Sequence, residues 1–171
     1  KKGLARLKEE DRAETWYADF LEHVKEHGIF ARWLSPKKYS TRGHEFDFLS
    51  LARYLETFAY CSPAHGYSFQ VTYLGIFPIL ISNNEELKRE AIKRLENGAM
   101  FAFGLSEKEH GSDIYSSGMH IVKKPGGYVA NGSKYYIGNA NCAQMISVLA
   151  VDKSSGSSDS VTKEHFTFFA L

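Results

Sequence analysis

The sequence predicts an α+β protein, with a helical domain over residues 1–98 and an antiparallel β-barrel domain over residues 99–171 that lacks its last strands. Two observations predict it. Up to Gly98, apolar residues recur at helical spacing with charged residues between the stripes. From Ala99 onward, short runs of β-branched and aromatic residues alternate with turn residues. No internal repeat, coiled coil or long low-complexity tract is present.

Trp16, Phe20, Leu21 and Val24 form the first helical stripe, with Glu14, Asp19, Glu22 and Lys25 on the other sides and Gly28 as the stop. Phe48, Leu51, Ala52, Leu55 and Phe58 form the second, opposite Arg53 and Glu56. Ser62-Pro63 breaks it. The mostly apolar stretch from Tyr67 to Ile81 is then either one buried helix kinked at Pro78 or two short ones. Asn83 and Glu86 have capping-box spacing, Leu87, Ala91 and Leu95 share a face, and Asn97-Gly98 closes that helix. Expected strands are Met100–Leu105, Met119–Lys123, Tyr128–Ala130, Tyr135–Ile137, Met145–Val151 and His165–Leu171. Pro125-Gly126-Gly127 is one turn signal between them. Asn131-Gly132 is another, favouring a type I′ hairpin because both residues tolerate positive φ. Ser154–Ser160 reads as a mobile polar loop.

Composition excludes several function classes. The 21 basic and 20 acidic residues of the 171 nearly cancel and form no basic stripe, so nucleic-acid binding is not predicted. Cys61 and Cys142 match no metal or redox spacing and read as buried free thiols of a reducing compartment. His23 and His27 share a helical face without a third ligand in sight, so no metal is expected. The longest apolar stretch, Tyr73–Ile81, is too short to span a bilayer. The chain starts at Lys1 and stops in the strand-like run Phe166–Leu171, which reads as a fragment of something larger.

The most informative segment is Gly104-Leu-Ser-Glu-Lys-Glu-His-Gly-Ser-Asp113, which follows the apolar run Met100–Phe103. A strand opening into such a loop can aim backbone N–H groups and two hydroxyls, Ser106 and Ser112, at an anion or a heteroaromatic ring edge. Its partner downstream is Asn131-Gly-Ser-Lys-Tyr-Tyr-Ile-Gly-Asn-Ala140, with paired aromatics.

In this order and at this separation the two segments resemble the flavin-binding middle domain of the acyl-CoA dehydrogenase and acyl-CoA oxidase family. The resemblance extends over nearly the whole chain. Gly28–Tyr39 looks like the family's Gly-to-Pro-to-Tyr segment, and Phe48–Ala59 looks like the helix carrying the family's Glu-Glu-Leu-Ala run. Leu74–Ile79 through Gly98 is similar to the helix pair before the flavin loop.

That resemblance implies FAD as cofactor. Phe103, Leu105 and Ser106 would run along the flavin's pyrimidine edge, and Ser112 would touch either the acyl-CoA phosphate-pantetheine region or the cofactor pyrophosphate. Tyr136, in the family's usual Trp position, would be an aromatic wall continued by Ile137 and Gly138. Asp113 would cap a turn, and Glu107 would order the loop. It further implies α,β-dehydrogenation of an acyl-CoA thioester to the trans-2-enoyl-CoA in a homo-oligomeric parent. The electron acceptor would be an electron-transfer flavoprotein or oxygen, and the place the cytoplasm, or the mitochondrial matrix in a eukaryote. The catalytic Glu would come from a C-terminal helical bundle absent from this chain, so no catalytic residue is expected here and the fragment alone should not turn over. Three departures stand out: Gly138 replaces a Thr or Ser whose hydroxyl faces the flavin, His110 a small residue, and Lys108 a frequent Pro. The alternatives are a same-fold oxidase or monooxygenase and a non-catalytic flavin or acyl-CoA binding module.

Overall fold

A computed structural model describes residues 2–154 and 165–171; most of the Ser154–Ser160 loop lies outside them. Six helices come first: α1 (Leu4–Arg12), α2 (Ala18–Glu26), α3 (Ile29–Leu34), α4 (Phe48–Cys61), α5 (Pro63–Ile81) and α6 (Glu85–Glu96). They are followed by β1 (Phe101–Gly104), a 3-10 turn (Ile114–Ser116), β2 (His120–Lys124), β3 (Gly127–Asn131), β4 (Met145–Asp152) and β5 (Phe166–Ala170).

Local chemistry sets the helix ends. Gly28, at φ +59°, stops the first predicted helix and starts the short α3, which had no stripe of its own in the sequence. α4 is capped by Asp47, whose carboxylate accepts from the N–H groups of Leu49 and Ser50. α6 is capped by Asn84, which accepts from Leu87 N–H at 2.9 Å, so the cap falls one residue beyond the expected Asn83. α1 buries no residue and was not expected; Lys2 and Arg6 both pair with Glu10 along it.

α5 positions the site. Pro63 opens it, where a missing N–H costs nothing, and it continues as one helix through Pro78. Its buried residues, among them Ser68, Phe69, Thr72, Gly75 and Ile76, lie on more than one face because α4 covers one side and β1 the other. A helix buried on both sides has no clean apolar stripe, which is why the sequence left one helix or two open. Gly75 is the close approach: a Cβ there would stand 2.6 Å from the Ala102 carbonyl oxygen. The Gly75 carbonyl accepts the Ser147 hydroxyl at 2.6 Å, tying α5 to β4 as well.

The sheet is mixed and open, which corrects the expected antiparallel barrel. β4 is its centre. β1 pairs with it in parallel, Phe101 opposite Met145, and β2 pairs in parallel near its end, His120 opposite Val151. β5 runs antiparallel along the other edge, and β2–β3 is an antiparallel hairpin. Turn residues forecast that strands exist, whereas strand direction depends on where a long connection lands. Residues 105–119 leave β1 opposite Val148 and rejoin β4 opposite Val151, so β2 keeps the direction of β1, and residues 132–144 carry the chain from the end of β3 to the start of β4 at Met145. The β2–β3 turn is Pro125-Gly126, with Gly126 at φ +87°. No hairpin forms at Asn131-Gly132, where β3 simply ends, and Tyr135–Ile137 is not a strand.

The main core runs from Phe30, Leu34, Phe69, Ile76, Ile92 and Leu95 in the helices to Met100, Phe101 and Met145 in the sheet. Met119, Ile121, Val148 and Ala150 form a smaller cluster under β2 and β4. Among the described residues no helix is long and apolar enough to cross a membrane.

Candidate functional site

The two motif segments meet. The Ser106 hydroxyl donates to the Tyr135 carbonyl at 2.8 Å, and the Tyr135 N–H donates back to the Ser106 carbonyl at 2.9 Å. Lys134 locks the junction, its ammonium donating to the Leu105 carbonyl at 2.9 Å, to Glu107 at 2.8 Å and to the Ser117 hydroxyl at 3.0 Å. Glu107 also receives the Ser117 hydroxyl and the N–H groups of Gly118 and Met119, at 2.8 and 3.0 Å. Burial pushes the Glu107 carboxyl up, but Lys134, Ser117 and the two amides outweigh it and hold it at about 2. A carboxylate so satisfied is a poor proton acceptor. Glu107 orders the loop, as its place in the motif had implied.

Asn139 anchors the second segment. It is buried, and its side-chain amide donates to the Ser68 carbonyl at 2.8 Å, the Thr72 hydroxyl at 3.2 Å and the Phe101 carbonyl at 3.2 Å. Helix α5, strand β1 and the 134–140 segment therefore share one polar knot. Tyr136 and Asn139 both take left-handed backbone, at φ +56° and +61°, so the chain kinks on either side of Ile137-Gly138. Asn tolerates that conformation; Tyr does so at a cost. The kink leaves Tyr136 87% exposed, its ring edge-on to that of Tyr135 at 4.4 Å. The N–H groups of Ser106, Tyr136, Ile137 and Gly138 make no backbone bond among the described residues.

The remaining predicted positions are engaged differently. Phe103 stacks on Phe168 of β5 at 5.5 Å, so its ring serves the sheet. The Leu105 carbonyl is taken by Lys134. Ser112 is exposed in the loop bend, with no side-chain bond to either segment among the described residues. Asp113 caps the bend, accepting from His110 at 2.9 Å and from Gly111 N–H at 3.1 Å; the His110 contact, ahead of burial, keeps its carboxyl below the usual range.

Sequence reasoning assigned no role to Lys134, Asn139 or Tyr67. Lys134 and Asn139 lie inside the quoted second motif, but a lysine and an asparagine next to turn signals read first as turn chemistry. Tyr67 stood only as the first residue of the apolar Tyr67–Ile81 stretch. It lines an open apolar groove of about 640 Å³, bounded by Leu55 and Ala59 of α4 and by Gln70, Tyr73 and Leu74 of α5. Among the described residues one group could hold a cation: Glu26 joins His23 and His27 on the surface as the third ligand the sequence did not suggest, ligand atoms within 4.8 Å.

Residues 102–171 match the family described as acyl-CoA dehydrogenase, middle domain. An acyl-CoA dehydrogenase of Bacillus subtilis is 30% identical over 143 residues, covering 82% of this chain and 37% of the relative. An acyl-CoA dehydrogenase of Bacillus anthracis, solved in complex with FAD, superposes with a TM-score of 0.78 at 25% identity, over 99% of this chain and 28% of the other. A solved structure of the electron transferring flavoprotein of Acidaminococcus fermentans contains a chain that superposes with a TM-score of 0.84 at 26% identity, over 98% of this chain and 43% of that one. The chain thus spans well under half the length of the relatives it matches.

Proposed function

Because this chain belongs to the acyl-CoA dehydrogenase family, we propose that it carries part of the FAD site of an oxidoreductase that introduces a double bond between the α and β carbons of an acyl-CoA thioester. The observation that carries the reading is the junction of Leu105–Glu107 with Lys134–Gly138. It unites the two motif segments and leaves an exposed aromatic beside unpaired backbone donors. The division into residues 1–98 and 99–171 is part of the same reading, supported by the match over 102–171.

The residues fit a flavin. Flavin presents ring carbonyls and one ring N–H along its pyrimidine edge and a flat apolar face elsewhere. The unpaired N–H groups of Ser106 and of Tyr136–Gly138 suit the carbonyls, and Ser106, its proton given to Tyr135, keeps lone pairs for the ring N–H. Tyr136 offers an aromatic face, and Ile137 and Gly138 extend it without bulk. Phe103 and Leu105 support this edge through the strand and the Lys134 clamp. Ser112, exposed and without a side-chain bond among the described residues, suits a phosphate of the cofactor or of acyl-CoA. When bound, FAD supplies two-electron redox chemistry. The chain's own contribution is to orient the ring, to place donors where negative charge develops on reduction, and to shape the groove beside Tyr67 for the acyl chain.

The base that removes the α-proton is not Glu107, which is fully engaged. The whole protein would supply it from elsewhere, pass electrons to an electron-transfer flavoprotein or to oxygen, and act as a homo-oligomer in the cytoplasm or mitochondrial matrix. Gly138, which brings no hydroxyl, favours oxygen use as the second reading. The test takes the full-length parent, records its flavin absorbance, then mixes it without oxygen with acyl-CoAs of several chain lengths. Bleaching of the flavin band is expected. A parent that cannot be loaded with FAD, or bound flavin that no acyl-CoA bleaches, would refute the reading. Persistence of the reduced flavin in air separates dehydrogenase from oxidase.

A further inference from the structure

Gly138 is glycine for lack of space. Its backbone is not in the left-handed region, so conformation does not require glycine. A Cβ there would stand 2.9 Å from Tyr67 Cε1, 3.0 Å from the Tyr67 hydroxyl and 3.1 Å from Val71 Cγ2. The two backbones are tied together. Ser68, the next residue of α5, holds the Asn139 amide through its carbonyl at 2.8 Å, which fixes Tyr67 and Gly138 in register. The Tyr67 ring is 51% exposed on the groove side, and its hydroxyl has no protein partner among the described residues.

We propose that Tyr67 is a cofactor-contacting residue: its phenol occupies the space above Gly138 and presents the hydroxyl that meets the flavin at that end of the site. The inference rests on the flavin reading above. A phenol both donates and accepts, so the same group serves the oxidised ring and, as donor, the more negative reduced ring. Its ring forms one wall of the apolar groove, so a single side chain from the helical half borders both cofactor and acyl chain. Residues 67 and 138 are thereby coupled: a large aromatic on α5 goes with no side chain on the loop.

The experiment uses the full-length parent loaded with FAD and compares it with Tyr67→Phe, Gly138→Thr and the double variant Tyr67→Ala/Gly138→Thr. The readouts are the FAD dissociation constant and the midpoint potential of bound flavin. Tyr67→Phe should melt like the parent and lower the midpoint potential by about 30 mV, a tenfold change in a two-electron equilibrium. Gly138→Thr should weaken FAD binding about tenfold by steric conflict, and adding Tyr67→Ala should recover part of that loss, the rest being the phenol's own contact with the cofactor. A FAD-loaded parent whose potential is unmoved by Tyr67→Phe overturns the hydroxyl's role and leaves the flavin reading standing. Gly138→Thr binding FAD as tightly as the parent overturns the coupling. A parent that takes up no FAD overturns the flavin reading, and this inference with it.

Discussion

Replacing Glu107 by Gln should destabilise the protein and flatten its acid unfolding limb. The carboxylate joins three stretches of chain: the exit of β1, the approach to β2 at Ser117–Met119, and Lys134. The side chains of Glu107 and Lys134 are only 11% and 7% exposed, so solvent screens the pair little. Folding holds the carboxyl at about 2, against an ordinary 4.5, burial opposing and the four donors prevailing. At 1.36 kcal/mol per pH unit that gap is worth about 3 kcal/mol. The folded value is the lower one, so this stability is fully present above pH 4.5 and is lost as pH falls toward about 2. Glutamine keeps the shape but offers one acceptor oxygen where two served, and turns an NH₂ toward an ammonium and two amide N–H groups that can only donate. Urea unfolding of both proteins from pH 7 to pH 2 gives the difference directly, other carboxylates cancelling between them. A gap of about 3 kcal/mol at pH 7, closing between pH 4.5 and 2, is expected. A variant within about 0.5 kcal/mol of the parent at pH 7, the scale of a neutral surface change, would refute the reasoning.

Three further outcomes follow from the same geometry. Asn139→Ala removes three buried hydrogen bonds and puts alanine at φ +61°, so unfolding should be easier by about 3 kcal/mol in urea. Gly75→Ala forces a methyl to 2.6 Å from the Ala102 carbonyl oxygen and should lower stability by about 3 kcal/mol, seen as a drop in melting temperature. Tyr136→Ala should leave stability within about 0.5 kcal/mol, because the ring is 87% exposed. The same change should weaken FAD binding in the full-length parent about tenfold, measured by flavin fluorescence.

Much of this was determined by the sequence alone. The switch from helical to strand period at Gly98 is local, and so are the stops at Gly28 and Asn97-Gly98 and the paired motif segments; each was legible because the cause lies within a few residues. α1 and α3 escaped notice because one buries nothing and the other is too short to show a period. What only the tertiary structure decided depends on groups far apart in the chain. Strand direction followed from where the long connections landed, making β1 and β2 parallel to β4. Lys134 became a clamp because Glu107 and Leu105 arrive beside it from the other motif. Asn139 became an anchor because Ser68 and Thr72 of α5 reach it from the helical half. Gly138 looks in the sequence like a lost hydroxyl; in the folded chain it is the space that Tyr67 fills. Such pairings are fixed by packing, since two side chains cannot share one volume, and no local pattern in the chain announces which two will compete for it.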